Sequence, residues 1–169
     1  VQNRWRPART IVFVWFGAEE QGLEGSRALV KDLPFAHKAV VAMLNRFFRI
    51  VVAVVNREGG WVNKFEGDAA MCIFGAPQDQ PDHADRALRT AAALPREMAH
   101  VDGLLDAGTG VASGEVIAGF VGTPERFEYT VIGDVVNLAS RLCDEAKEAG
   151  VPVLASESTI RRAVADDGW

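Results

Sequence analysis

The chain has 169 residues and 18.3 kDa, enough for one ordinary domain, so a single fold over residues 1–169 is expected to carry the function. Hydrophobic residues make up 49 % and charged residues 24 %, a packed globular composition that excludes disordered and collagen-like chains. Eighteen Lys and Arg against 23 Asp and Glu leave a formal charge of −5, which argues against nucleic acid as a partner.

Ile11 to Phe16 is an unbroken run of β-branched and aromatic residues, the pattern of a central strand buried on both faces. Gly17 to Gly25, with Glu19, Glu20 and Glu24, is too polar and glycine-rich to continue it and reads as a loop. From Pro34 to Glu58, Val40, Met43, Leu44, Phe47, Val51 and Val55 recur at spacings of three and four, which predicts a long helix closed by Gly59-Gly60. Trp61 to Glu66 and Ala69 to Phe74 flank Gly67-Asp68 and predict a tight hairpin. After a linker from Pro77 to Pro81, an Ala/Leu-rich helix is expected from Asp82 to His100, with Asp82 as N-cap and a kink or break at Pro95.

Leu104 to Ala112 and Glu115 to Val121 predict a second hairpin about Ser113-Gly114, with Gly108, Gly110 and Gly119 where a close backbone approach needs a small residue. Gly122 to Glu128 is a charged excursion, and Tyr129 to Ile132 resumes extended structure. Gly133 turns the chain into a helix from Asp134 to Lys147, followed by Gly150. A strand at Val151 to Ala155 and a helix from Ser156 to Ala165, opened by Ser-x-x-Thr, complete an α+β order in which helices cover one sheet.

The apolar runs fall far short of the roughly 20 residues that span a bilayer, and no secretory signal opens the chain. Cys72 and Cys143 are too few for a disulfide scaffold or a four-ligand zinc site, and both read as buried thiols. A reducing, cytoplasmic setting is expected. Val1 and Trp169 read as the ends of a piece cut from a longer parent, whose membrane anchoring stays open.

Phosphate-loop, nucleophile-elbow and His-Glu-x-x-His motifs are all missing from the sequence. His37, His83 and His100 have no partners at metal spacing and read as surface residues. Two stretches could carry chemistry. Lys64-Phe-Glu-Gly-Asp68 puts a cation on a strand and a carboxylate at a hairpin tip, either a solvated hairpin or a site where Asp68 binds a divalent metal and Lys64 a nucleotide. In Asp134-Val-Val-Asn-Leu-Ala-Ser-Arg141, Asn137 and Arg141 lie four apart on one helix face, with Val136, Leu138 and Leu142 pointing elsewhere. That pair is either a polar helix face or a clamp for a phosphate or a developing alkoxide.

Asn63-Lys-Phe-Glu-Gly-Asp-Ala69, Gly110-Val-Ala-Ser-Gly-Glu-Val-Ile-Ala-Gly119 and Tyr129-Thr-Val-Ile-Gly-Asp-Val-Val-Asn-Leu-Ala-Ser-Arg141, in this order, resemble the catalytic domain of class III nucleotidyl cyclases. The likeness runs from about Pro34 to Ala165 and is nearest to adenylate cyclases of actinobacterial type. It implies a ferredoxin-like, mostly antiparallel sheet covered by helices, here without the family's last strands and the triphosphate-contacting lysine they carry. It also implies head-to-tail pairing, as a homodimer or with a partner cyclase domain, with each active site built from both protomers.

The resemblance further implies that Lys64 contacts the adenine of ATP, Asp68 is one of two metal-binding aspartates, Asn137 orients the ribose and Arg141 stabilises charge on the reacting phosphate. Two Mg²⁺ or Mn²⁺ ions would activate the ribose 3′-hydroxyl for attack on the α-phosphorus, giving 3′,5′-cyclic AMP and pyrophosphate. Thr130 holds the family's second purine-recognition position, and with Lys64 it favours ATP over GTP. The family's other metal aspartate ends the first strand, where this sequence has Trp15, or Gly22 if Gly25-Ser26 is taken as the following turn. Glu19, Glu20 or Glu24 would then be the substitute ligands. The alternative reading is a degenerate cyclase homology domain that binds nucleotide or a partner cyclase without catalysing by itself.

Overall fold

The computed structural model describes residues 8–16, 36–99 and 107–163. Strand β1 (Ala8–Phe16) leads to helix α1 (Ala36–Arg57), and the hairpin of β2 (Trp61–Glu66) and β3 (Ala69–Phe74) leads to α2 (His83–Met98). Then come β4 (Ala107–Glu115), β5 (Ile117–Thr123), β6 (Arg126–Ile132), α3 (Asp134–Glu148), β7 (Val153–Ala155) and α4 (Glu157–Arg162). The main sheet has the order β2-β3-β1-β4-β7, and β5 and β6 form a separate two-stranded ribbon. Its β1-α1-β2-β3-α2-β4 portion is a ferredoxin-like unit of mostly antiparallel strands, as the sequence led us to expect.

The unbroken apolar run of β1 follows from its central place between β3 and β4. Val12 and Val14 face a core with Ala70, Cys72, Phe74, Phe47, Val51 and Leu88. Ile11 and Phe13 face a second core with Met71, Ile73, Ala112, Val135, Ala139 and Cys143. Alternation along β1 and β3 therefore puts α1 and α2 against one face of the sheet and α3 against the other. Both cysteines are buried and neither is in a disulfide, and burial pushes the Cys72 thiol far up.

Helix α1 closes as expected, with Gly59 at φ 74° and Gly60 N–H donating to the Val55 carbonyl at 3.0 Å. The β2–β3 turn holds Gly67 at φ 61°, and Glu66 pairs with Ala69. Three local expectations need correction. Helix α2 runs through Pro95 without ending there, and Asp82 makes no side-chain cap because its carboxylate accepts from Arg86 Nε at 2.8 Å. Ser113-Gly114 is no turn: β4 continues through it, held to Thr10 and Arg9 of β1. The second hairpin is instead β5–β6, which pairs Ile117 with Ile132 through to Thr123 with Arg126 and takes in the charged excursion. The turn was misplaced because Ser and Gly also suit a strand that a helix must approach closely.

That approach is the work of Gly110. A Cβ there would lie 2.0 Å from the Ala139 carbonyl oxygen and 2.5 Å from Cys143 N, so only glycine lets α3 rest on β4. Gly119, expected to serve a similar contact, has nothing within 4 Å. Gly110→Val is expected to cost about 3 kcal/mol of stability through overpacking, whereas Gly119→Ala stays within about 0.5 kcal/mol. Urea denaturation of the two variants checks both.

The loop Gly17 to Gly25, its three glutamates and His100 lie outside the described residues. Among the described residues, no helix is long and apolar enough to cross a membrane.

Candidate active site

Helix α3 carries the first half of the site. Its seat on β4 fixes the helix axis, and the four-residue spacing then turns Asn137 and Arg141 to one exposed side. They line an open cleft of about 580 Å³ together with Ser113, Gly114 and Glu115 of β4 and Asp134, Val135 and Leu138 of α3. Leu138, expected to point away from this pair, lies in the same cleft and is 40 % exposed. Val136 and Leu142 pack against the core beneath, as expected. A permanent cation and a neutral amide thus share one cleft, the donor combination suited to a phosphorylated ligand. The cleft residues on β4 carry no local signal, because Ser113-Gly114 has the pattern of a turn and becomes strand only through its pairing with β1.

Ser113 also opens onto a buried polar thread. Thr10 Oγ1 is hydrogen-bonded both to Ser113 Oγ and to His83 Nδ1, each at 2.6 Å, and Ser158 Oγ donates to the Ser113 carbonyl at 2.7 Å. His83 is therefore buried, at 8 % exposure, and not the surface residue its isolation in sequence implied. Its partner Thr10 is 73 positions away, beyond any local signal. Burial lowers the His83 pKa below the usual 6.5, helped by the charges of Arg9 and Arg162 and opposed by Asp79 and Asp82. The unfolded chain consequently takes up a proton at higher pH than the folded one. Stability is complete above pH 6.5 and falls as the pH drops toward the folded-state pKa. Urea midpoints between pH 8 and pH 5 should show that decline, and His83→Gln should flatten it.

The second half of the site is on β2 and β6. Register shifts between Val62 and Lys64, so Asn63 is the extra residue of a bulge on an edge strand. Its amide reaches β6: Asn63 Nδ2 donates to the Tyr129 carbonyl at 2.7 Å, and Thr130 Oγ1 donates to Asn63 Oδ1 at 3.0 Å. Thr130, 8 % exposed, is thereby tied to the strand segment that carries Lys64. Lys64 Nζ lies 2.7 Å from Glu66 Oε1. Asp68 follows Gly67 at the hairpin tip and is half-buried. Neither Lys64, Asp68 nor Thr130 lines the α3 cleft, so the five expected residues form two groups on one chain.

A divalent ion asks for several oxygen donors, carboxylates foremost among the side chains. The described residues contain no group of three or more His, Cys, Asp or Glu side chains placed to hold a metal. In the sheet, Ala69, next to Asp68, is paired with Trp15, one of the two positions, with Gly22, where the resemblance would put the second aspartate; Gly22 lies outside the described residues. Strand β1 itself carries no Asp or Glu.

Comparisons with known proteins agree with this architecture. The sequence profile of the adenylate and guanylate cyclase catalytic domain matches residues 21–164. Two uncharacterized proteins of Mycobacterium tuberculosis are each 50 % identical, over 141 and 139 residues. Those matches cover 82 % of this chain and 26 % or 24 % of the relatives, so the chain spans about a quarter of their length. Among solved structures, a bacterial light-regulated adenylyl cyclase superposes with a TM-score of 0.79 at 27 % identity, covering 96 % of this chain and 46 % of that one. The adenylyl cyclase CyaB from P. aeruginosa gives 0.74 at 26 % identity, covering 94 % and 81 %. The guanylyl cyclase Cya2 gives 0.73 at 28 % identity, covering 95 % and 80 %. With that profile spanning most of its length, the chain belongs to the class III nucleotidyl cyclase catalytic domains.

Proposed function

We propose that this domain converts ATP to 3′,5′-cyclic AMP and pyrophosphate at sites assembled between two cyclase domains. The observation that carries the reading is the open α3 cleft in which Asn137 and Arg141 stand together. In this reading Asn137 hydrogen-bonds the ribose and holds its 3′-hydroxyl toward the α-phosphorus. A bond forms between that oxygen and phosphorus while the bond to pyrophosphate breaks. Arg141 offers a fork of charged donors to the phosphoryl oxygens as charge shifts onto them.

Adenine selection falls to Lys64 and Thr130. Lysine only donates, which suits a ring acceptor of adenine, and Thr130 completes the pair from β6. Cyclases of this class are generally dependent on divalent metal, and Asp68 is the family carboxylate retained here. Asp68 stands in no group of three or more His, Cys, Asp or Glu among the described residues.

Assembly from two domains accounts for the separation of the two residue groups. The β5–β6 ribbon supports it: Phe120 is 71 % and Phe127 62 % exposed, with Ile117, Val121 and Ile132 exposed beside them. Such an apolar patch fits a second cyclase domain better than water. A second reading, a domain that binds nucleotide without turnover, draws on the pairing with Ala69 of Trp15, one of the two positions where a second carboxylate is called for.

Cyclic AMP formation from ATP with Mn²⁺, measured over a range of protein concentrations, separates the two. The cyclase reading expects product that rises more than linearly with protein, and a loss of about 10²–10³ in kcat for Arg141→Ala. Unchanged turnover in Arg141→Ala would sink it, and nucleotide binding without product favours the second reading. Phe120→Ser with Phe127→Ser should shift the chain toward monomer in sedimentation velocity and reduce turnover together.

A further inference from the structure

The Asn63 bulge does more than fasten β2 to β6. Carbonyl oxygens only accept hydrogen bonds, so the Asn63 atom that meets the Tyr129 carbonyl must be its NH₂ group. That leaves the amide oxygen toward Thr130, 3.0 Å from its hydroxyl. An amide oxygen only accepts as well, and the single Thr130 proton is therefore spent on Asn63. What remains on Thr130 Oγ1 for a ligand is a lone pair.

We infer that Asn63 is a specificity-determining positioning residue, which sets Thr130 as an obligate acceptor and thereby selects a purine whose 6-position carries an amine. The inference rests on the proposed cyclase reading, in which Thr130 faces the base, and names the residue that gives Thr130 its polarity. Adenine offers N6–H₂, a donor, at the edge where guanine offers O6, an acceptor. An acceptor-only hydroxyl pairs with the first and meets the second lone pair to lone pair. A threonine with a free proton could rotate and serve either base, so threonine alone does not discriminate. Discrimination of this kind is large when a buried polar group would be left unmatched, and Thr130 is buried.

The locking is strong for a structural reason. Asn63 sits at a register shift, so its side chain is directed by the bulge and not by the regular alternation of β2. Tyr129, whose carbonyl orients the amide, is the residue before Thr130, and the two hydrogen bonds close a small ring between β2 and β6. The ring of Tyr129 packs beside Trp61 at 5.8 Å and Phe120 at 5.4 Å, which holds this part of β6 in place.

The test is the ratio of dissociation constants for 3′-deoxy-ATP and 3′-deoxy-GTP, which lack the attacking hydroxyl, titrated calorimetrically into the full chain. Wild type is expected to prefer the adenine nucleotide, and Asn63→Ala to shrink that preference about tenfold. Thr130→Val should lose it as Asn63→Ala does, with no further loss in the double variant. A purely structural role for Asn63 would weaken both nucleotides alike and leave the ratio unchanged, which overturns the inference while the cyclase reading stands. Equal or guanine-favouring binding by wild type also overturns it. Binding of neither nucleotide overturns the cyclase reading and the inference with it. Melting temperatures identify a variant that has lost its fold, and Thr130→Val then decides the matter independently.

Discussion

Everything in the α3 half of the site depends on one close contact, the seating of that helix on the backbone of β4. At Gly110 the space available for a side chain is nil, because the Ala139 carbonyl lies where a Cβ would be. At Gly108 the Cys143 thiol donates to the strand's own carbonyl at 3.0 Å, a second tie between the same two elements. With the helix this close, Val135, Ala139 and Cys143 complete the second core, and the opposite side of α3 is left to Asn137 and Arg141. The apolar face and the polar cleft are consequences of the same placement. A helix held farther from the sheet would lose both packing and the shared orientation of the two polar residues.

The β2–β6 half is built on a different principle. Here the main sheet ends at an edge strand, and the ribbon beyond it is joined through side-chain hydrogen bonds and aromatic contacts. An unmet edge is a liability, and the bulge at Asn63 converts part of it into a specific attachment. The exposed aromatic face of the ribbon then awaits a covering surface, which a second domain would provide in the proposed assembly. The two halves differ accordingly in what limits them. One is set by close backbone packing, the other by the direction of a few hydrogen bonds.

Between those halves runs the central strand, and it carries the departure with the greatest chemical consequence. Strand β1 is apolar through Trp15, and its pairing with Ala69 brings that residue's backbone next to the Asp68 turn. The composition that makes β1 a good centre for two cores leaves no carboxylate on the strand itself. Membership of the cyclase class follows from sequence and fold, whereas turnover depends on the site, and the two need not coincide.

By itself the sequence determined the elements whose signals are local. The apolar run of β1, the helical spacing from Met43 to Val55, the Gly67-Asp68 turn and the Asn137–Arg141 spacing are all read over a few residues, and the structure has each of them. The motifs around Lys64, Asp68 and Arg141 were likewise legible as cyclase motifs. Tertiary structure alone decided what depends on partners far along the chain. Ser113-Gly114 became part of a strand because β1 pairs with it, His83 went inside because Thr10 receives it, and Asn63 gained its role from Tyr129 and Thr130, 66 and 67 positions away. Pattern along a chain reports which face of an element is apolar. Which backbone or hydroxyl will meet a given side chain is settled only when the elements close on one another, since that choice is made by distances between segments that sequence neighbours do not share.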